Sequence, residues 1–350
     1  MPPLARCDVR NLVRNLGAHA RPSQQRAALA VFEQLYSAGW EEDYPGIVAA
    51  IVAAGAIPPL VQLLYPGSTD DVQQSAAEAL TFIAHYAENA VTVAAAGAIP
   101  LLVQLLGLGS TARVQQNAAG ALTALAQQAD NQATIGAASA IPPLLQLLRS
   151  GSSTEPQQFA IGALGSLAVN ADNAATIAAA GAIPRIVQLL GTVSSAEDSA
   201  AALMNLAKHA EVAVTIAAAG AVPALVQLLG PGSTEKVHHK AACALKNLAA
   251  VNNDNRVTID GAAGAIPPLV RLLRRDTHEY VHGAATSALH SLARDAANQA
   301  TTVAAGAVPL LLHLSGPGAP DEHVQGLAAA TVGLLSQSSE LFALLVAAGG

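Results

Sequence analysis

The chain has 350 residues, of which 52% are hydrophobic but only 3% aromatic and 12% charged, so its core must rely on small side chains. A net charge of −7 argues against nucleic acid, whose binding needs a concentrated basic face, and the high apolar content excludes a disordered chain. No apolar run reaches the roughly 18 residues that a membrane-spanning helix needs, which predicts no membrane insertion. Two distant cysteines, Cys7 and Cys243, form no disulfide framework, which indicates a reducing location, cytoplasmic or nuclear.

The N-terminal segment, residues 1–46, is predicted to be a degenerate repeat that caps the chain and lacks an opening helix. When Gln25 is aligned with Gln73, the apolar residues of the segment fall on those of the next copy, and the extra length lies in an insertion at residues 41–46. The first part of the segment also carries five arginines, against Asp8 as its one acidic residue. An organelle transit peptide is therefore the alternative interpretation.

Beyond residue 46 the sequence repeats with a period of about 42 residues. A segment close to G-A-I-P-P-L-V-Q-L-L recurs seven times, and its first prolines are Pro58, Pro100, Pro142, Pro184, Pro223, Pro267 and Pro309. The intervals between these prolines are equal except for two: the one that ends at Pro223 is shorter, and the one that ends at Pro267 is longer. This regularity predicts one repeat-built domain with seven further repeats over residues 47–340, and residues 341–350 begin a truncated or terminal repeat.

Each repeat is predicted to contain three helices and no β-strand. The first helix follows an asparagine that we interpret as its N-cap: Asn89, Asn131, Asn173, Asn255 and Asn298. Glycine then permits a sharp change of direction, and proline sits where the second helix can begin without an interior N–H group. A loop rich in glycine, serine and threonine leads to the third and longest helix, whose apolar residues recur at helical spacing.

With this glycine–proline junction, an A-x-x-A-L-x-x-L-A third helix and a three-helix period, the sequence resembles the armadillo repeat family over essentially its whole length. HEAT repeats share the solenoid architecture but usually have two helices per repeat and lack the junction. The resemblance implies an all-α, right-handed armadillo-repeat superhelical solenoid with three helices per repeat. It also implies that the third helices line a concave groove that holds extended peptides.

Armadillo proteins related to the nuclear import adaptors hold a peptide backbone with a tryptophan and an asparagine one turn apart on the third helix. Here the asparagine column keeps only Asn205 and Asn247, the tryptophan column has no tryptophan, and Trp40 lies between repeats. The resemblance therefore does not extend to a nuclear-import role. Gly120 and Gly162 occupy the tryptophan column, where they either face the groove or meet a neighbouring helix.

Several histidines need a separate interpretation. The segment from His278 to His282 matches H-E-x-x-H, which in zinc proteases places two metal ligands on one helical face. We expect His278 to precede its helix, so that the two imidazoles need not converge, and we interpret the match as coincidental. His238 and His239 open a third helix near the groove edge, either as a solvated polar rim or as hydrogen-bonding groups for a bound chain. Cys243 is expected to be inert.

No nucleophile elbow, phosphate loop or paired carboxylate forms a catalytic constellation, so we predict a non-enzymatic interaction scaffold or adaptor with no cofactor and no metal. Its partner is predicted to be an extended segment of another protein. That segment would bind a stripe on successive third helices, formed by Gln74, Glu78, Gln116, Gln128, Gln158, Ser166, Glu197, Asn205, His239, Asn247, Ser291 and Arg294. Asn205 and Asn247 would form a backbone clamp, or alternatively would only brace neighbouring loops.

Two other functions stay open on the sequence. The chain could be a structural subunit of a larger assembly that uses its ends or its convex face. It could also be the substrate-recognition part of a ubiquitin-ligase system, because plant armadillo proteins attached to U-box ligases have a similar repeat style. The sequence does not define the oligomeric state.

Overall fold

The structure is a computed structural model, and it describes residues 6–17, 19–37, 44–149, 154–274, 277–317 and 319–337. Trp40, residues 41–43 of the predicted insertion and the predicted terminal repeat at residues 341–350 lie outside the described residues. The chain forms two compact units, residues 1–180 and residues 181–350, which are called unit 1 and unit 2 below.

The described residues form helices throughout. In chain order these are α1 (Arg6–Leu16), α2 (Pro22–Ser37), α3 (Tyr44–Ala53), α4 (Ile57–Gln62), α5 (Asp70–Ala84), α6 (Ala87–Ala95), α7 (Ala98–Leu105), α8 (Ala112–Leu125), α9 (Ala129–Ala137), α10 (Ile141–Leu147), α11 (Thr154–Leu167), α12 (Ala171–Ala179), α13 (Ala182–Leu189), α14 (Ala196–Leu206), α15 (Ala210–Ala218), α16 (Ala221–Gln227), α17 (Glu235–Val251), α18 (Asn253–Val257), α19 (Ile266–Arg271), α20 (Glu279–Leu292), α21 (Ala296–Ala304), α22 (Ala307–Leu314) and α23 (Glu322–Leu335). After α1 and α2 the helices follow one another in threes, and the described ranges contain no β-strand.

No single helix in the described part of the chain is long and apolar enough to span a membrane. Two pairs, α6 with α7 and α15 with α16, reach that length and hydropathy only when taken together, and they are bent by 83° and 81°.

The first boundary between repeats differs from the prediction. Helix α3 begins at Tyr44, so Tyr44, Pro45 and Gly46, which the sequence assigned to the insertion, belong to the first helix of the second repeat. Proline is tolerated there because the first turn of a helix has no internal partner for its N–H groups.

A left-handed residue joins the first and second helices of most repeats and produces the predicted change of direction. At Gly97 the backbone φ is 84°, and α6 and α7 on its two sides are bent by 83°. Such a φ is unfavourable for any residue with a Cβ atom. In the fourth repeat Ser139 holds this position with a φ of 60°, and it is the one non-glycine residue of positive φ in the described ranges.

The N-cap interpretation of the repeated asparagines is wrong. Each is the third residue of its first helix: Asn89, Asn131, Asn173, Asn255 and Asn298. Asn131 is only 4% exposed, and its Nδ2 group donates to Leu125 O of the preceding third helix at 3.1 Å and to Ala90 O of the preceding first helix at 3.3 Å. Asn298 bridges the equivalent carbonyl groups of Leu292 and Arg256 at 3.2 and 3.1 Å. A buried amide that joins two repeats therefore explains the recurrence.

The two irregular repeat intervals have local causes. In the shorter interval α14 has 11 residues where α8 and α11 each have 14, and Thr192 Oγ1 in the preceding loop donates to the carbonyl group of the last residue of α13 at 2.8 Å. In the longer interval α17 extends to Val251, and a π-helical turn, Thr258–Ala262, accommodates an extra residue. Asp260 in this turn is 9% exposed and accepts a hydrogen bond from Ile266 N at 3.3 Å.

Alanine sets the distance between neighbouring third helices. In unit 1, α5 packs against α2 and α8, and in unit 2, α17 packs against α14 and α20. One buried column of these helices, at 0% exposure, consists of Ala76, Ala118, Ala160, Ala241, Ala285 and Ala328. Because these side chains are small, the helix backbones approach closely. Each unit therefore contains a row of closely packed third helices.

Candidate functional site

In unit 1 the predicted binding stripe lies on the third helices with one exception. The half-buried members are Gln74 and Glu78 on α5, Gln116 on α8, and Gln158 and Ser166 on α11. Gln128 was placed wrongly, because α8 ends at Leu125 and Gln128 is the residue that precedes α9. The error has a physical reason: the third helix ends without a glycine C-cap, so the sequence carries no sharp signal for its last residue.

In unit 2 the stripe shows the same pattern and the same error. The half-buried members are Glu197 and Asn205 on α14, His239 and Asn247 on α17, and Ser291 on α20. Arg294 is exposed and follows the end of α20 at Leu292, so it is not on the third helix as predicted. Ser291 Oγ donates to Ser287 O, four residues earlier in its own helix, at 3.0 Å.

A polar column one residue before Gln74, Gln116 and Gln158 holds the second and third helices of most described repeats together. Its members in unit 1 are Gln73, Gln115 and Gln157. Gln115 Nε2 donates to Leu106 O at 3.2 Å and to Gly107 O at 2.8 Å, at the C-terminal end of α7. The last carbonyl groups of a helix lack partners within that helix. We call this set of residues, together with its counterparts in unit 2, the brace column.

In two repeats of unit 2 histidines occupy the brace column, whereas Gln325 keeps glutamine there and donates to Ser315 O at 3.2 Å. His238 Nε2 lies 3.1 Å from Gly230 O, and His282 Nε2 lies 2.7 Å from Arg274 O. Since a carbonyl oxygen can only accept, each Nε2 must carry the proton. His238 Nε2 therefore bonds within its own repeat, a role that neither the solvated-rim nor the bound-chain interpretation included. The recurring glutamine marked this column in the sequence as a conserved position within the chain's repeats. A sequence pattern does not show, however, which carbonyl group a side chain contacts.

Hydrogen bonds also cross between neighbouring third helices. Asn247 Nδ2 donates to Met204 O at 2.8 Å, and Asn117 Nδ2 donates to Gln74 O at 3.2 Å. The contact of Asn247 is closer to the bracing alternative than to the backbone clamp. A clamp at this position would have only the second N–H group and the side-chain carbonyl oxygen of Asn247 to bind a peptide. These bonds fix the spacing of the helices that carry the stripe, which leaves a preorganised surface.

The two glycines of the tryptophan column differ in their surroundings. Gly120 is buried, and a Cβ atom there would lie 3.3 Å from Cδ1 of Phe159 on the next third helix. Gly162 is half-buried, and a Cβ atom there would lie 3.8 Å from Thr123, an ordinary contact. Gly120 therefore meets a neighbouring helix and has no room for a large side chain, whereas Gly162 has space.

Charge is concentrated at one point of the stripe in unit 1. Glu78 is half-buried, and burial followed by the negative charge of Glu33 raises the pKa of its carboxyl group, while Arg113 opposes this shift. Ser75 Oγ donates to Glu33 Oε1 at 2.6 Å across the two repeats. Burial and Glu33 therefore destabilise the ionised form of Glu78, and a cationic group of a ligand would stabilise it.

A cleft of about 440 Å³ opens in unit 2 between α17, α20 and the start of α23. Three rings lie along it: the centroids of His239 and Tyr280 are 5.3 Å apart, edge to face, and those of His278 and Tyr280 are 4.4 Å apart. Cys243 Sγ lies 3.7 Å from His239 Nε2, and burial raises the pKa of its thiol. The thiolate, which is the reactive form, is thus disfavoured at neutral pH.

The H-E-x-x-H segment does not have the geometry of a zinc site. His278 is the N-cap of α20 and precedes the helix, as predicted, and its ring contacts Tyr280, whereas the ring of His282 contacts Arg274 O. In the described part of the chain, no three His, Cys, Asp or Glu side chains are grouped so that they could hold a metal ion.

Comparison with known proteins identifies the repeat. The family model for the armadillo/β-catenin-like repeat matches residues 45–84, 87–126, 209–250 and 252–294. No curated protein matches the chain.

Solved structures extend the likeness to nearly the whole chain. The crystal structure of an engineered protein is similar to it with a TM-score of 0.79 and 30% identity, over 95% of this chain and 79% of that one. A designed armadillo repeat protein matches with a TM-score of 0.63 and 30% identity, over 68% of this chain and 99% of that one. A further designed armadillo repeat protein, in complex with the peptide (KR)4, matches with a TM-score of 0.60 and 27% identity, over 69% and 99% of the two chains. The all-α armadillo fold predicted from the sequence is confirmed.

Proposed function

The chain belongs to the armadillo repeat family, and from this premise we propose that it is a non-enzymatic scaffold that binds an extended segment of another protein on its third helices. The observation that carries the proposal is the row of half-buried polar side chains on adjacent third helices, held in place by hydrogen bonds between repeats. A designed relative that binds the peptide (KR)4 supports the same use of the fold. Intracellular location, cytoplasmic or nuclear, is part of the proposal.

The spacing of the repeats suits an extended ligand. Packed helices lie about 8–10 Å apart, and an extended chain advances about 3.3 Å per residue. Roughly three ligand residues would therefore pass each third helix. Gln74 and Gln116 occupy equivalent positions on neighbouring third helices, and each amide offers both a donor and an acceptor to a peptide backbone.

Selection from a random peptide library tests this function. A selected peptide should bind the full chain in fluorescence anisotropy, and the double variant Gln74→Ala, Gln116→Ala should weaken binding severalfold. The matched control is Thr92→Ala, Thr134→Ala, which removes two exposed side chains from the first helices α6 and α9. Selected peptides that respond only to the control pair would contradict the proposal and would favour a structural role through the opposite face.

A further inference from the structure

The first repeat differs from its neighbours in the charge of one exposed helix face. Helix α1 corresponds to the second helix of the later repeats, and its Arg10 and Arg14 stand in the columns of Pro58 and Gln62. Both columns are exposed in the next three repeats as well, where they hold Pro58, Gln62, Pro100, Gln104, Pro142 and Gln146. Because those repeats fold with uncharged residues at both positions, the fold itself does not require the two arginines.

Arg10 and Arg14 lie together on the open side of α1. They are four residues apart, which is about 6 Å along the helix, and the buried residues Val9, Leu12 and Leu16 lie on the other side. Within the described part of the chain, neither arginine side chain has a hydrogen bond or an ion pair. Like charges at this spacing repel each other and destabilise a helix slightly. Negative charge on a partner would remove that repulsion.

The rest of unit 1 is acidic. Between Arg26 and Arg113 the sequence contains eight acidic residues and no lysine or arginine. Three exposed carboxylates of unit 1 form one column, because each is the second residue of a first helix: Glu88, Asp130 and Asp172. Among the described residues, none of these side chains has a hydrogen bond or an ion pair. Packed helices lie about 8–10 Å apart, so neighbouring carboxylates of this column are separated by about that distance.

We propose that the arginine face of α1 binds the acidic column of a second copy of this chain, with Arg10 and Arg14 on Glu88 and Asp130 of the other copy. A guanidinium group presents a planar fork of donors that matches a carboxylate, and its flexible stem covers the small difference between the two spacings. An anionic lipid surface fits less well, because the apolar side of α1 is buried in the protein and cannot enter a bilayer.

This contact joins two different surfaces of the chain, so it is heterologous. Each copy keeps one arginine face or one acidic column for a further copy, and the copies therefore close a ring or continue as a row. The contact uses α1 and the first helices, and it leaves the third helices available to a bound segment.

Sedimentation equilibrium of the full chain tests the contact. Because exposed ion pairs are individually weak, the protein is studied at about 10–200 μM. The average mass should exceed that of one chain and rise with concentration in about 50 mM salt, and it should fall to that of one chain in about 500 mM salt. Reversing the arginine face (Arg10→Glu with Arg14→Glu) should abolish association, and reversing the acidic column (Glu88→Arg with Asp130→Arg) should do the same. An equimolar mixture of these two variants should associate again, since each now carries the charge that the other needs.

Matched variants separate the contact from general effects of charge. Gln104→Glu with Gln146→Glu adds the same two carboxylates in the column of Arg14 but in later repeats, and this variant should associate like the unmodified chain. The melting temperature of each variant shows whether it is folded. If a charge reversal does not fold, Arg10→Gln with Arg14→Gln carries the test and should weaken association severalfold.

Three results would overturn the contact. The first is a mass of one chain at every concentration in low salt, and the second is association that survives both charge reversals. The third is a mixture of the two reversed variants that stays unassociated although each variant is folded. If the unmodified chain stays single but binds vesicles that contain phosphatidylserine, and the reversal of Arg10 and Arg14 abolishes this binding, the arginine face serves a membrane and the contact between copies is wrong.

Discussion

The two units meet the same structural demand with different side chains. In unit 1 glutamines of the brace column donate to the carbonyl end of the second helix. In two repeats of unit 2 histidines do so over similar distances, 2.8 Å from Gln115 to Gly107 O and 2.7 Å from His282 to Arg274 O, while Gln325 keeps glutamine in a third. The fold fixes where an N–H group must lie but not which residue supplies it.

The largest expected effect comes from removing a brace. Gln115→Ala leaves two helix-end carbonyl groups without their donor, and we expect a loss of about 1–3 kcal/mol in the free energy of unfolding. Gln115→His should lose much less, because histidine fills the same column in unit 2. Urea unfolding of both variants measures the difference. Equal losses for alanine and histidine would show that packing, not the donated hydrogen bond, sets the requirement.

The junction between first and second helices offers a reciprocal pair of substitutions. Gly97→Ala keeps open space around the new Cβ atom but forces it into a left-handed conformation, so we expect a loss of about 1–2 kcal/mol. Ser139→Gly removes the same strain from the fourth repeat, and the greater entropy of the unfolded glycine limits the gain to about 0.5–1 kcal/mol. Thermal unfolding checks both signs, and a destabilising Ser139→Gly would contradict the strain argument.

The glycines of the tryptophan column should respond differently to one methyl group. Gly162→Ala enters a helix with room for its Cβ atom and should stabilise the chain by about 0.5–1 kcal/mol. Gly120→Ala should show little or no gain, because the ring of Phe159 at 3.3 Å must move aside. Circular dichroism melts of the two variants give the comparison. Similar gains at both positions would mean that Phe159 yields freely.

The smallest expected effect is a difference in acid response between the units. Burial, followed by neighbouring positive charge, lowers the pKa of His239 and of His290 in unit 2. The folded state then takes up protons less readily than the unfolded state, so stability should fall as the pH drops through about 6.5, the ordinary histidine value. Amide hydrogen exchange at pH 7.5 and 5.5, corrected for intrinsic rates, should show a greater loss of protection in α17 and α20 than in α5 and α8. An equal loss in both units would contradict this difference.

The repeat architecture could be predicted from the sequence because a glycine–proline junction that recurs at a nearly constant interval leaves few alternatives. The roles of individual polar residues could not. Asparagine is suited both to an N-cap and to a buried bridge between two carbonyl groups. The two roles differ only in the position of the residue relative to the start of the helix, which the sequence does not show. The cleft beside Tyr280 was missed because no sequence motif marks a space that three successive third helices line together.

The errors at Gln128 and Arg294 have another source. Both residues lie just beyond the end of a third helix, at Leu125 and Leu292, where helical periodicity continues in the sequence although the helix does not. The turns that follow, residues 126–128 and 293–295, contain no glycine or proline that would mark the end of the helix. Helix ends of this kind are the least predictable part of the stripe.

Hydrogen–deuterium exchange of the full chain, with and without a saturating library-selected peptide, tests most directly that the third helices form the binding surface. We expect added protection in consecutive third helices, such as α5, α8 and α11 or α17 and α20, with little change in the first helices α6, α9 and α15. Protection confined to the first helices, or spread equally over all helices, would contradict the account.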